Sequence, residues 1–147
     1  DGQATIDNWL WKLELLWRDL PDSQYTAMQA GLEYNLYGIS DTNTELGVVA
    51  ELSWDERGGE AGRIFQDGLF MGGRITLNDA ASTEFLAGLG YDIDYSSRSL
   101  FVEASSRFGE SLKLSLDVRL FDSGSPRDLM THIDQDDRIQ LTADYYF

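Results

Sequence analysis

Arg138-Ile139-Gln140-Leu141-Thr142-Ala143-Asp144-Tyr145-Tyr146-Phe147 is the stretch whose reading decides the fold. Successive side chains of an extended strand point to opposite faces, so Ile139, Leu141, Ala143, Tyr145 and Phe147 share one side. Arg138, Gln140, Thr142, Asp144 and Tyr146 share the other. One side is wholly apolar and the other polar, which is the period of a strand and not of a helix.

Moving back along the chain, the same alternation recurs. Residues 111–120 set Leu112, Leu114, Leu116, Val118 and Leu120 against Ser111, Lys113, Ser115, Asp117 and Arg119. The tight turn Phe108-Gly109-Glu110-Ser111 joins them to residues 100–108, where Leu100, Val102, Ala104 and Phe108 oppose Phe101, Glu103, Ser105 and Arg107, with Ser106 the polar intruder. Residues 84–95 place Phe85, Ala87, Leu89, Tyr91, Ile93 and Tyr95 away from Glu84, Gly88, Gly90, Asp92 and Asp94. Residues 69–78, 46–54 and 25–38 repeat the scheme. In residues 6–18, Trp9, Trp11, Leu13, Leu15 and Trp17 face away from Lys12, Glu14 and Arg18. A helix there would put Lys12 and Glu14 in the middle of an apolar surface.

The pattern predicts a single all-β domain over residues 1–147: an antiparallel up-and-down barrel of about eight strands. Closure is expected from pairing of the Trp9–Trp17 strand with the Arg138–Phe147 strand, since a barrel abolishes exposed edges. Connection lengths alternate as well. Links after the second, fourth and sixth strands are short, and those after the third and seventh (residues 55–67 and 122–137) are long. The link after the fifth is the exception, and Pro21 and Asp22 mark the first turn.

Composition narrows the function classes. The 147 residues carry 26 acidic against 11 basic side chains, a net charge of −15, which argues against a nucleic-acid partner. Charged residues make up 25%, and no apolar run reaches the roughly 18 residues of a transmembrane helix. There is no Cys, so disulfides and thiolate chemistry are excluded. What is left is a soluble domain or a membrane barrel, whose alternating strands average to ordinary hydropathy.

A terminal strand with one apolar face and a final Phe147 resembles the C-terminal signal of Gram-negative outer-membrane β-barrels, read by the barrel assembly machinery. All the expected strands fit that family. More narrowly, Trp9-Leu10-Trp11-Lys12-Leu13-Glu14, Glu45-Leu46-Gly47-Val48-Val49-Ala50-Glu51, Phe65-Gln66-Asp67-Gly68-Leu69-Phe70 and Arg74-Ile75-Thr76-Leu77-Asn78-Asp79 resemble the C-terminal part of larger, porin-like barrels of unassigned function. The narrower resemblance implies a fragment or reduction of a wider barrel. The family implies bacterial outer-membrane localisation, with lipid and lipopolysaccharide as partners.

Periodicity fixes two faces without saying which is inside. A soluble lipocalin-like carrier of an apolar ligand has the same alternation with its apolar face inward. The membrane version is the expectation here. A face can be chosen on every strand so that about forty positions carry no charge, where composition would give about ten, and a Lys or Arg facing lipid near the midplane costs roughly 2–4 kcal/mol. Aromatics gather near the strand ends, with Trp17, Trp54 and Tyr95 at one rim and Trp9, Trp11, Phe85, Phe108, Tyr145 and Phe147 at the other, as membrane girdles.

The interior would then be lined by Lys12, Glu14, Arg18, Glu33, Glu51, Arg74, Glu84, Asp92, Asp94, Glu103, Arg107, Lys113, Asp117, Arg119, Arg138 and Asp144. Narrow barrels are filled by side chains, so these charges are expected to pair into a plug, with Gly31, Gly47, Gly72, Gly88 and Gly90 making room for Arg side chains or water. The expected function is a structural or small passive pore, or else a segment of a larger diffusion channel weakly favouring cations. No enzyme is expected: His132 is the sole His and stands in a loop without a nucleophile motif, and the Asp92/Asp94 spacing is what any polar strand face gives. No cofactor is expected, and no metal site, because the acidic run Asp134-Gln135-Asp136-Asp137 lacks the spacing of a calcium loop.

Overall fold

In a computed structural model, residues 1–147 are described except for Asp22, Arg63, Phe65 and Gln66. The expected turn residue Asp22, and Phe65 and Gln66 of the resemblance, therefore lie outside the described residues. The chain forms one antiparallel nine-stranded sheet in which every strand pairs with its neighbour in sequence. The strands are β1 (Gly2–Ile6), β2 (Trp9–Leu20), β3 (Ser23–Tyr37), β4 (Glu45–Asp55), β5 (Gly68–Thr76), β6 (Glu84–Asp92), β7 (Arg98–Phe108), β8 (Leu112–Asp122) and β9 (Arg138–Tyr145). Among the described residues no helix is long and apolar enough to cross a membrane, which says nothing of strands.

Two expectations are corrected. There is a ninth strand, β1, which folds back on β2 through Asp7 and Asn8, pairing Gly2 with Leu13 and Ile6 with Trp9. Asp7 takes the left-handed conformation (φ 52) that closes this turn, a conformation a short polar side chain tolerates. Its five residues, Gly-Gln-Ala-Thr-Ile, alternate only weakly, which hid the strand. The second correction follows from the first. β1 occupies the edge of β2 over Trp9–Leu13, and the sheet is open: among the described residues no ladder joins β9 to β1 or β2.

Register settles which residues share a face, because residues directly opposite in an antiparallel pair project to the same side. Lys12 lies opposite Gly31, Gly31 opposite Glu51, Glu51 opposite Phe70, and Phe70 opposite Gly90. Gly90 lies opposite Ser99, and the same parity continues through Phe101 and Arg119 to Arg138. The other face runs from Ala4 and Trp11 through Leu32, Ala50, Met71 and Leu89 to Leu100, Leu120 and, one register step along, Val118 and Ile139. Its charged residues within the ladders, Asp19, Arg98 and Asp122, all stand at one end of the strands, and the middle carries none. It is also bare, with Leu15 and Trp17 more than 60% exposed and Ile139 and Leu141 each 73% exposed.

Connections segregate as the lengths suggested. One end of the sheet carries turns at residues 7–8, 38–44, 77–83 and 109–111. The other carries the β2–β3 connection, the two long loops between β4 and β5 and between β8 and β9, and the short link 93–97.

Candidate functional site: the polar face and its loop-covered end

Burial is concentrated where the two long loops meet the polar face. Tyr25, Ala27, Asp55, Asp92, Ser97, Asp128 and Met130 are buried, and all stand at the loop end. Tyr25, Ala27, Asp55 and Asp92 have the parity of the polar face. Arg57, just past β4, folds back so that its guanidinium sits 3.6 Å from the centre of the Tyr25 ring while Nη2 lies 2.7 Å from Asp55 Oδ2. Because the Asp55 side chain is fully buried, this fork of hydrogen bonds neutralises a carboxylate that would otherwise cost several kcal/mol to desolvate. Glu56 extends the pairing of β3 and β4: its N–H donates to the Thr26 carbonyl (3.0 Å) and its carboxylate accepts from Thr26 N–H (2.9 Å).

The short link 93–97 explains its own exceptional length. It is the buttress against which both long loops lean. From one side, a Cβ on Gly59 would overlap the Tyr95 hydroxyl, and Ile93 N–H donates to the Asp67 carbonyl at 2.7 Å. From the other, Gly124 N–H donates to Ser97 Oγ at 2.9 Å, and a Cβ on Gly124 would overlap the Tyr95 carbonyl. A longer connection would fill the space these loops need.

Two expected assignments fail at this buttress. β6 ends at Asp92, so Asp94 and Tyr95 lie in the turn and not on a strand face. Tyr95 packs against Gly59 in place of joining a rim of aromatics, and Tyr91, on the apolar face of β6, stands at that height. Asp94 is coupled to Asp67: burial first, then the Asp67 charge and a hydrogen bond between the two carboxyls, push Asp94 above the ordinary carboxylate range. At the opposite end Asp79 shows the reverse. The Thr83 N–H (2.8 Å) and then its hydroxyl (2.9 Å) hold that carboxylate below the usual range.

Along the sheet, the remaining expected interior residues share the polar face: Lys12, Glu14, Arg18, Glu33, Glu51, Arg74, Glu84, Asp92, Glu103, Arg107, Lys113, Asp117, Arg119, Arg138 and Asp144. They do not all pair. One network crosses three strands. Arg119 binds Glu103 and also lies 3.1 Å from Asp117 Oδ2, and Arg138 lies 2.6 Å from Asp117 Oδ1. The register sets Arg119 directly opposite Arg138, so Asp117 separates two cations that would otherwise repel. Lys12 and Glu33 form a looser pair at 3.5 Å. Arg74 and Lys113 form no ion pair among the described residues, because an open sheet does not bring a facing wall to them. Both line a cleft of about 330 Å³ on this face.

The glycines do not make room for Arg or water at the centre of the sheet. At Gly72 and Gly88 the space is taken by aromatic rings, while Gly31 stands against Lys12 and Glu51 and Gly47 against Asn35. Phe70 and Phe101 stack at 5.8 Å with 6° between planes, and a Cβ on Gly88 would overlap the Phe101 ring and fall 2.9 Å from Phe70. Arg119 completes the stack, 5.3 Å from the Phe101 centroid. The alternation had put Phe101 among polar neighbours. The signal that could have found the stack is the pairing of two exceptional aromatics with Gly72, Gly88 and Gly90 across adjacent strands.

Trp9, Trp11, Trp17, Trp54, Phe85, Phe108 and Tyr145 share the apolar face, while Phe147 lies beyond the end of β9. Trp9 packs on Tyr34 at 4.3 Å. His132 is exposed in the 123–137 loop. No protein-family model matches the chain, and neither the curated proteins nor the solved structures contain a detectable relative.

Proposed function

We propose that the nine strands are an arc of the wall of an outer-membrane β-barrel that serves as a passive diffusion channel, with the apolar face on lipid and the polar face on the aqueous lumen. The observation that carries this reading is the placement of burial: loops cover the end of the polar face, while an apolar face that carries charge only at the strands' loop end is left bare across nine strands. In water such a face would be an aggregation surface far beyond the few hundred Å² that soluble monomers expose. Against lipid it is the ordinary exterior of a barrel. Strands β2–β8 have 9 to 15 residues, enough to cross a bilayer when tilted.

The open sheet favours the wider barrel over a self-contained small pore. Unpaired edge groups cost several kcal/mol each in hydrocarbon, so β9 and the free edges of β1 and β2 require further strands. The stacked Phe70 and Phe101 and the Glu103–Arg119–Asp117–Arg138 network would then project into the lumen, where the acidic surplus gives a weak preference for cations.

Circular dichroism and gel mobility before and after boiling, in buffer and in detergent, test the lipid assignment. A β spectrum and heat-modifiable mobility that require detergent are expected. A monodisperse folded protein in plain buffer overturns the reading and points to a soluble carrier. Planar-bilayer conductance then separates an open channel from a filled barrel.

A further inference from the structure

Twice in this molecule a guanidinium lies over an aromatic ring and is held there by carboxylate. Arg57 stands 3.6 Å from the centre of the Tyr25 ring and binds Asp55. Arg119 stands 5.3 Å from the centre of the Phe101 ring and binds Glu103 and Asp117. Phe101 is in turn stacked on Phe70, so Arg119 closes one end of a stack whose other end is Phe70. At that other end a ring and a carboxylate meet again, because Glu51 of β4 lies directly opposite Phe70 of β5. What adjoins them is a cavity of about 180 Å³, lined by Phe70, Glu51, Gln29 and Ser53 and by Gly68 and Gly90, which bring no side chain into it. Glu51 is half-buried and forms no ion pair among the described residues. Lys12, in the same cross-strand row, is turned to Glu33 at 3.5 Å. Gln29 Nε2 donates to Glu51 at 3.5 Å, the long limit of a hydrogen bond.

We propose that this cavity binds a guanidinium-bearing organic cation, stacked on Phe70 and paired with Glu51. The negative face of an aromatic ring attracts a cation, most strongly where water is partly excluded. A guanidinium is planar and weakly hydrated, so it lies flat on the ring while its N–H fork meets the carboxylate. Gln29 adds an amide oxygen for a remaining N–H. A hard metal ion needs six or more oxygens and gains nothing from Phe70. A neutral solute gains the ring and leaves the Glu51 charge uncompensated.

The site lies on the polar face whichever solvent the apolar face meets, so its test is separate from that of the channel. The refolded, isotope-labelled chain is titrated with ethylguanidinium chloride at constant ionic strength, in the buffer or detergent that keeps it folded. Amide shifts of Glu51, Phe70 and Gly90 are followed by NMR. Saturable binding centred on those residues is expected, with ethylurea, the neutral planar analogue, and propylammonium each at least tenfold weaker. E51Q should lower the affinity at least tenfold, and F70L by about threefold to tenfold, the range for a cation on a partly desolvated ring. E84Q removes the same charge elsewhere on the polar face and should leave binding unchanged. Should F70L fail to fold, E51Q against E84Q decides. Absence of saturable binding by the parent chain, equally tight binding of either analogue, or undiminished binding by E51Q overturns the proposal.

Discussion

The loop-covered end of the polar face and the middle of the apolar face differ in a way that inverts the usual protein. At the loop end, Asp55, Asp92, Ser97 and Asp128 are buried, alongside Tyr25, Ala27 and Met130. In the middle of the other face, Leu15, Met71, Leu89 and Leu141 are all more than half exposed. A chain folding in water gains by hiding apolar surface. Here backbone ladders and polar loops do the ordering, and on the proposed reading the apolar surface meets lipid. The difference teaches that charge exclusion on one face and loop covering on the other are two halves of one design.

The sharpest way to break the comparison is to place charge on the bare face. L114K/L116K should cost about 4–8 kcal/mol of insertion free energy, at roughly 2–4 per residue, and abolish the heat-modifiable folded band in lipid. S115K, between them on the polar face, should leave folding within about 1 kcal/mol of the parent by urea titration. Equal damage from both would mean the faces do not meet different solvents.

A smaller effect probes the polar face itself. G88A puts a Cβ into the Phe101 ring and should destabilise the folded chain by about 1–3 kcal/mol, with F101L restoring part of the loss in the denaturation midpoint. Insensitivity of the midpoint would mean the two rings are not held in place. At the loop end, R57Q removes the cation from the buried Asp55 carboxylate and should lower the denaturation midpoint. Faster hydrogen exchange in residues 56–61 would locate the loss.

The smallest effect is a difference in sign between the two ends of the sheet. Asp79 is held below the usual carboxylate value of about 3.9 by Thr83, so its contribution is complete above that pH and is lost as pH falls through the depressed value. Asp94 is held above it by burial and Asp67, so its contribution is complete below that pH and fades as pH rises through the raised value. Acidification should therefore speed hydrogen exchange, after correction for intrinsic rates, in residues 77–83 and slow it in residues 93–97. D94N should remove the second trend and leave the first. Trends of the same sign at both ends would refute the assignment.

How much could be read in advance depended on the strength of the local signal. Leu112 to Leu120 against Lys113 to Arg119 alternates without interruption, so strand and faces followed from period two. Gly2 to Ile6 has too little side-chain contrast for the same inference, and β1 was found only through its pairing with β2. Asp94 and Tyr95 continue the alternation of β6 on paper. Their true place depends on Gly59, Asp67 and Gly124, which are distant in sequence.

By itself, the sequence determined the two-faced strands, their antiparallel order and the charge-free middle of the apolar face, because each depends on residues two apart or on a short turn. Tertiary structure alone decided that the sheet is open, that Phe70 and Phe101 fill the space over Gly88, and that Asp92 and Asp128 are buried. Those outcomes depend on which loops fold over which strand ends. Alternation cannot encode such meetings, since a period specifies the side on which a residue stands and not what comes to lie over it.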